Sequence, residues 1–222
     1  MNCSKCNSPL GADRFCSHCG LTEEGNGINV KIANLNMVTS SMIATTLSTA
    51  GIYNCNVVAA CPIEVSGTGA LTGIMKAFEK VTGEKLDEEK KELATEELIT
   101  TSKLADVLNS SDKATGIITA AKEAVIKSGT EDRAEIEKII KDTAKSYGVE
   151  LTNDQIKMIL NILLKVAKQD YDYNKLKNTL KDISSSAADK LDINVPNWLK
   201  DLDDLSDIKK EFVNFKVDEI ML

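Results

Sequence analysis

The 222 residues are 42% apolar and 27% charged, contain three prolines, and carry a net charge of -7 with a pI near 4.9. That composition describes a folded, acidic chain long enough for one medium domain and a small appendage, and its acidity disfavours nucleic-acid binding because the chain as a whole repels phosphate. No apolar run approaches the ~20 residues a membrane span needs, and aromatics make up only 4%, so the core must be aliphatic.

The first twenty residues, "MNCSKCNSPLGADRFCSHCG", hold two C-x2-C pairs, Cys3/Cys6 and Cys16/Cys19, separated by nine residues. Each pair can turn two thiolates toward one ion, and two pairs complete a tetrahedral four-sulfur shell for zinc. Asn7 and Gly20, the residues after each pair, tolerate the positive φ that such turns require. Iron could occupy the same shell, and His18 could replace one thiolate, although the four cysteines fill the site without it. A redox C-x2-C would be a single pair within a larger α/β fold. With four protein ligands no position is left for an activated water, so one structural Zn2+ per chain is expected. This stretch resembles the short zinc-ribbon module found at the ends of prokaryotic proteins. Because Cys3 follows Met1 so closely, no signal peptide is expected, and paired thiols fit a cytoplasmic location.

Residues 22–27 read as an acidic, Gly-containing linker. Ile28, Val30 and Ile32 alternate as in a strand. A helix follows with Thr39 or Ser40 as N-cap, Met42, Ile43, Thr46, Leu47 and Ala50 on one face, and Gly51 as its stop. "NCNVVAACPIEV" (54–65) is a β-branched run that reads as a buried strand, and a second helix spans about Thr68 to Val81. The order strand, helix, strand, helix predicts a small parallel βαβα unit over residues 28–85.

From Leu86 the apolar period is helical, and residues 86–191 are expected to form a bundle packed on that unit. Asp87 caps a helix through Leu98, and Asp112 one through Ile126. Ile136, Ile139, Ile140, Ala144 and Tyr147 form the next stripe. Thr152 and Gln155 make a capping box flanked by Leu151 and Ile156 at the positions of a hydrophobic staple. The helix they begin is apolar on most sides and is expected to be central. A further helix carries Leu176, Leu180, Ile183 and Ala187. Residues 192–222 form an acidic amphipathic segment with Trp198, Leu202, Leu205, Ile208, Phe212 and Phe215 at spacings of three or four. Such a segment is a poor ligand for an anionic membrane and is expected to dock on its own bundle or in a partner's groove. The fold class is thus α/β and predominantly helical: a zinc ribbon (1–21), a βαβα unit and a helical bundle.

The segments "NVVAACPIEVSGTGALTGIMKAFEKVTGEKLDEEKKELATEEL" and "YGVELTNDQIKMILNILLKVAKQDYDYNKLKNTLKDI" resemble the YpuA-like family of uncharacterised proteins from Gram-positive bacteria, over about residues 28–183. "VSGTGALTGIMKAFE" is the most specific part. The resemblance implies no catalytic residues, since the family is a domain of unknown function. It does imply a secreted location for the usual members, from which this chain departs by opening on the cysteine pairs.

Within that region "SGTGALTG" is the single stretch with ligand character. Ser66, Gly67, Thr68 and Gly69 precede a helix whose free N–H groups could cradle an anion or nucleotide, but the spacing matches neither G-x-G-x-x-G nor a P-loop. A capped helix start with glycines that allow close strand–helix packing is the leading reading of this turn, since a lone Gly-rich turn is a weak motif. Cys55 and Cys61, about 20 Å apart on an extended strand, are too far apart for a disulfide and read as small core residues. Glu64 has an acid's chemistry but no nameable partner. His18 is the chain's one histidine, so no Ser-His-Asp or Cys-His set assembles elsewhere. The expected function is a non-catalytic, zinc-containing protein–protein interaction or adaptor module, with an anion- or nucleotide-binding enzyme as the alternative.

Overall fold

A computed structural model describes residues 27–186. Cys3, Cys6, Cys16 and Cys19, on which a zinc ribbon is expected, and the acidic segment 192–222 lie outside the described residues. The elements run β1 (Ile28–Leu35), α1 (Ser40–Thr49), β2 (Cys55–Val65), α2 (Ala70–Thr82), α3 (Glu88–Leu108), α4 (Ser111–Ser128), α5 (Arg133–Ser146), α6 (Asn153–Ala167) and α7 (Tyr173–Ser186).

The expected parallel pairing is present. β1 and β2 form a two-stranded sheet in register from Ile28↔Cys55 to Ala33↔Ala60, then again at Leu35↔Val65. Residues Cys61 to Glu64 therefore stand opposite Asn34 alone. Asn34 adopts φ 58°, and its Nδ2 donates to the Cys61 carbonyl at 2.6 Å. This bulge throws Ile63 outward, to 68% exposure. The strand 54–65 was expected to be buried, and that expectation fails along most of its length. Only Cys55 and Ala59 are buried, while Val58 is 47% exposed. A β-branched apolar run implies cover on both faces only when strands flank it and helices pack above and below. Here the described sheet has two strands.

α1 is central. Thr39 caps it, its side chain accepting from the Met42 N–H at 3.1 Å, and every residue from Met42 to Thr49 is buried. One face meets the sheet. The other, with Thr45, Ser48 and Thr49, faces the bundle. α4 is equally enclosed, packing against α3, α5, α6 and α7. α6, expected to be the central helix, buries Ile156, Ile159, Leu160, Ile162, Leu163 and Val166 but leaves Asn161 and Lys165 in solvent.

Four local readings shift. α2 begins at Ala70 rather than Thr68. α3 continues ten residues beyond Leu98 to a left-handed Asn109 (φ 47°). The run Thr100-Thr101-Ser102 resembles a turn signal, yet Thr101 Oγ1 donates back to the Glu97 carbonyl at 2.8 Å, so a buried hydroxyl is satisfied inside its own helix. Ser110, not Asp112, caps α4. Cys61, expected in the core, is only half-buried on the bulge; Cys55 is buried, and both are free thiols. The capping box of α6 stands as expected: Thr152 Oγ1 accepts from the Gln155 N–H and Gln155 Oε1 from the Thr152 N–H, at 3.3 and 2.8 Å. Among the described residues no helix is long and apolar enough to cross a membrane.

α4 meets the C-terminal end of α5 by close approach. A Cβ added at Gly116 would stand 2.4 Å from Cε1 of Tyr147. Gly116→Ala is therefore expected to force the Tyr147 ring out of its seat and to cost about 1–3 kcal/mol by overpacking, read as a lower urea midpoint with an unchanged m-value.

Candidate functional site

Among the described residues, one charged pair is buried in the interior. Lys122 of α4 is 1% exposed and Glu97 of α3 is 0% exposed, with Nζ 2.8 Å from Oε1. Taking both charges out of water is costly unless their remaining donors and acceptors are met. α1 meets them. Thr45, Ser48 and Thr49 recur at i, i+3 and i+4 and so share one helix face.

Lys122 Nζ lies 2.8 Å from the Thr45 carbonyl, from Thr45 Oγ1 and from Thr49 Oγ1, and 3.3 Å from Ser48 Oγ. With Glu97 Oε1, five oxygens surround three N–H donors, so no donor is left over. Thr49 Oγ1 gives its proton to Glu97 Oε2 at 2.5 Å, and Thr45 Oγ1 donates to Oε1 at 3.3 Å. Thr119, one turn before Lys122, donates its hydroxyl to Thr45 Oγ1 at 3.1 Å. Thr45 and Thr49 thus each receive from Lys122 and give to Glu97, an arrangement in which low dielectric strengthens every bond.

The connection between α6 and α7 closes the cluster. Tyr171 donates its hydroxyl to the Thr49 carbonyl at 2.8 Å. Lys90 lies over its ring, 4.7 Å from the centroid, and donates to the Asp170 carbonyl at 2.7 Å. Burial, and next the charge of Glu97, hold the Tyr171 phenol above its ordinary range. Burial likewise pulls the Lys122 ammonium below the usual lysine value, against the opposing pull of Glu97. Chemically the cluster holds three helices together. Its proton donors are turned on one another, and none is left to meet a substrate.

The residues singled out from sequence do not converge on this cluster. Ser66 and Thr68 are exposed, with hydroxyls 3.3 Å apart. Gly67 adopts φ 82°, and a Cβ there would lie 2.5 Å from Val38 Cγ2 and 3.1 Å from Leu35 Cβ, so close packing under the turn requires this glycine. Gly69 precedes α2 and leaves its N-terminus without a side-chain cap, unlike α1, α3, α4, α5 and α6. Glu64 is exposed on the bulge. Burial pushes the Cys55 thiol up to about 12 and makes it unreactive. Among the described residues no group of three or more His, Cys, Asp or Glu side chains could hold a metal. Cys3, Cys6, Cys16 and Cys19 lie outside them.

Sequence reasoning missed Lys122 and Glu97, and a signal was present. Glu97 falls within the stripe Leu93, Ala94, Leu98, Thr101, Leu104, and Lys122 within Ile118, Ala121, Val125. A charge of opposite sign sits in the apolar stripe of each of two successive helices.

The architecture is a mostly helical α/β domain, in which a two-stranded parallel sheet and α1 lean on a bundle that shares their polar core. The chain belongs to the family described as Protein of unknown function (DUF1002), which it matches over residues 15–183. It is 35% identical over 172 residues to "Uncharacterized protein YpuA" of Bacillus subtilis (strain 168), an alignment covering 77% of this chain and 58% of that protein. The chain therefore spans little more than half the length of this relative. The family match takes in Cys16 and Cys19 and leaves out Cys3 and Cys6. No solved structure matches the chain.

Removing one partner strands the other charge in the interior. Lys122→Met is expected to cost about 3–5 kcal/mol, whereas Lys122→Met combined with Glu97→Leu regains most of that loss, as a denaturant double-mutant cycle will show. The pH dependence has a definite sign. With the folded Lys122 value below the unfolded 10.5, the unfolded chain holds more protons in that window, so this group's contribution to stability rises with pH. Tyr171, raised in the fold, acts in the opposite sense only above its ordinary value of 10. Wild type is thus expected to gain on the double variant as the pH climbs toward 10, measured by urea midpoints at successive pH values.

Proposed function

We propose that the protein is a non-catalytic interaction module: a rigid helical α/β body carrying a structural Zn(Cys)4 clip at its N-terminus, by which it engages another protein. The observation that carries this reading is the closed Lys122–Glu97 cluster. The interior charges of the described body are spent on holding α1, α3 and α4 together, and a group with every donor engaged has nothing to offer a reacting molecule. The zinc clip rests on the spacing of Cys3, Cys6, Cys16 and Cys19. Four thiolates fill a tetrahedral ion and leave no open position for chemistry. The reduced thiols that such a site needs favour a cytoplasmic setting.

A second reading is favoured by the uncapped start of α2. Backbone N–H groups at a helix N-terminus attract anions, and the exposed hydroxyls of Ser66 and Thr68 stand beside them, next to Gly67 and Gly69. On this reading the turn binds a phosphate or a nucleotide. Thermal-shift measurements with millimolar phosphate and nucleotides distinguish the two: the first reading expects no rise in Tm, the second a rise that Ser66→Asp abolishes.

Metal analysis of the purified chain is expected to return close to one zinc per chain, and Cys16→Ser to lose it. Full chain and a chain lacking residues 1–21, used as paired baits, are expected to differ in the partner retained. Turnover of a substrate by the zinc-free protein would overturn the interaction reading.

A further inference from the structure

From Ile32 to Met75 the sequence holds one charged residue, Glu64, in a chain that is 27% charged overall. Burial accounts for this in α1, where every residue from Met42 to Thr49 is buried, but not in β2, whose outer side meets solvent. Three of the six large apolar side chains exposed among the described residues, Met37, Val58 and Ile63, fall in this uncharged stretch. The backbone shows which edge of β2 is open. Cys55 donates its N–H to the Gly27 carbonyl at 3.2 Å, and the register runs unbroken from Ile28↔Cys55 to Ala33↔Ala60. Alternate residues of a strand turn their N–H and C=O to opposite edges. Val57 and Ala59 therefore face β1 as Cys55 does, and Val58 and Ala60 turn theirs to the far edge, where no described strand stands. Side chains alternate as well. Cys55 and Ala59 are buried toward the helices, whereas Val58 points off that face and is 47% exposed.

An open strand edge invites pairing with another chain, and folded proteins guard it with a charge, a proline or a bulge. β2 is guarded at one end only. Pro62 has no N–H to offer, and the bulge over residues 61–64 bends that half out of line. From Cys55 to Ala60 there is no charge, no proline and no bulge. We infer that a second copy of the chain pairs with this edge, β2 running antiparallel to its counterpart about a two-fold axis at Val58, so that two sheets become one of four strands. A two-fold contact matches a patch with itself, and this patch meets that requirement. Both copies are acidic, with a net charge of -7, and here neither brings a charge to the other. A partner with charges at this edge would leave them desolvated and unpaired. With Val58 on the axis, Glu64 falls opposite position 52 of the second copy, so the two carboxylates stay apart. Lys31, the register partner of Val58, stands three strand spacings from its counterpart, about 14 Å, which exceeds the Debye length of about 8 Å. This inference goes beyond the interaction reading above and involves none of the paired cysteines.

A ladder this short makes a small contact, so the dimer is expected to be reversible. Sedimentation of the full chain is expected to show a dimer at high concentration that dissociates on dilution. Val58→Glu and Val58→Lys each set like charges face to face on the axis, and each is expected to raise the dissociation constant by about tenfold or more. Far-UV circular dichroism and the urea midpoint of the dilute monomer are expected to stay in place, since Val58 is exposed. Mixing the two variants in equal amounts is expected to restore the dimer, because glutamate then faces lysine across the axis. Three outcomes would overturn the proposal. A full chain that stays monomeric at every concentration would mean that the edge is closed in cis or by a different protein. A dimer undiminished in both variants would put the contact on another face. Dissociation of each variant without recovery in the mixture would show that Val58 does not face its counterpart.

Discussion

The structure depends on a charged pair that could not survive in its interior without α1. Lys122 and Glu97 approach to 2.8 Å between two helices that are successive in sequence, but their mutual attraction alone does not offset the loss of water around two ions. Three hydroxyls and a carbonyl from α1 complete the shell. α1 lies far earlier in the chain and belongs to the βαβα unit. The pair therefore couples the two halves of the fold. Moving α1 away from α3 and α4 would expose neither charge usefully and would leave both short of partners. Such networks also fix register, because a hydroxyl displaced by one residue along a helix points some 100° away from where it is needed.

This arrangement explains why α1 is enclosed on all sides despite its polar content. Threonine and serine satisfy themselves on their own helix while lending a lone pair or proton to a neighbour. Thr46 donates back to the carbonyls of Met42 and Ile43, and Ser48 to that of Thr45. A helix of this kind can be buried without the orphaned groups that would otherwise exclude it from a core. Tyr171 adds a lid whose hydroxyl reaches the α1 backbone, and Lys90 stacked on its outer side keeps that lid in place. The result is a body most enclosed at α1 and α4. Its least covered parts, the β2 bulge and the outer side of α2, are at the periphery.

Much of the fold was legible locally. Alternating Ile28, Val30 and Ile32 marked β1, the Thr152/Gln155 box marked the start of α6, and the parallel pairing followed from the order of strand and helix. The site was not legible in the same way. Thr45, Ser48 and Thr49 stand off the apolar face that the sequence marks on α1, where hydroxyls usually meet water; here they meet Lys122 instead. Glu97 and Lys122 each stand within the apolar stripe of their own helix, but that they meet one another is decided only by the packing of α3 on α4. Val58 and Cys61 misled in the opposite direction: apolar in type, Val58 is exposed and Cys61 only half-buried, because the described sheet has no third strand to cover β2.

By itself, the amino-acid sequence determined the order of strands and helices, the caps of α1, α3 and α6, most of the stripes that face inward, and that two cysteine pairs at the N-terminus have the spacing of a four-sulfur site. Those features are set by interactions within a few residues: caps, periods of 3.6 and 2, and the reach of adjacent side chains. Only the tertiary structure decided that α1 and α4, rather than α6, form the centre. It also decided that a threonine face is interior and that one lysine and one glutamate are a buried pair. These outcomes turn on contacts between residues 25 to 77 positions apart, and whether a polar group is stranded or satisfied depends on partners that no local window contains.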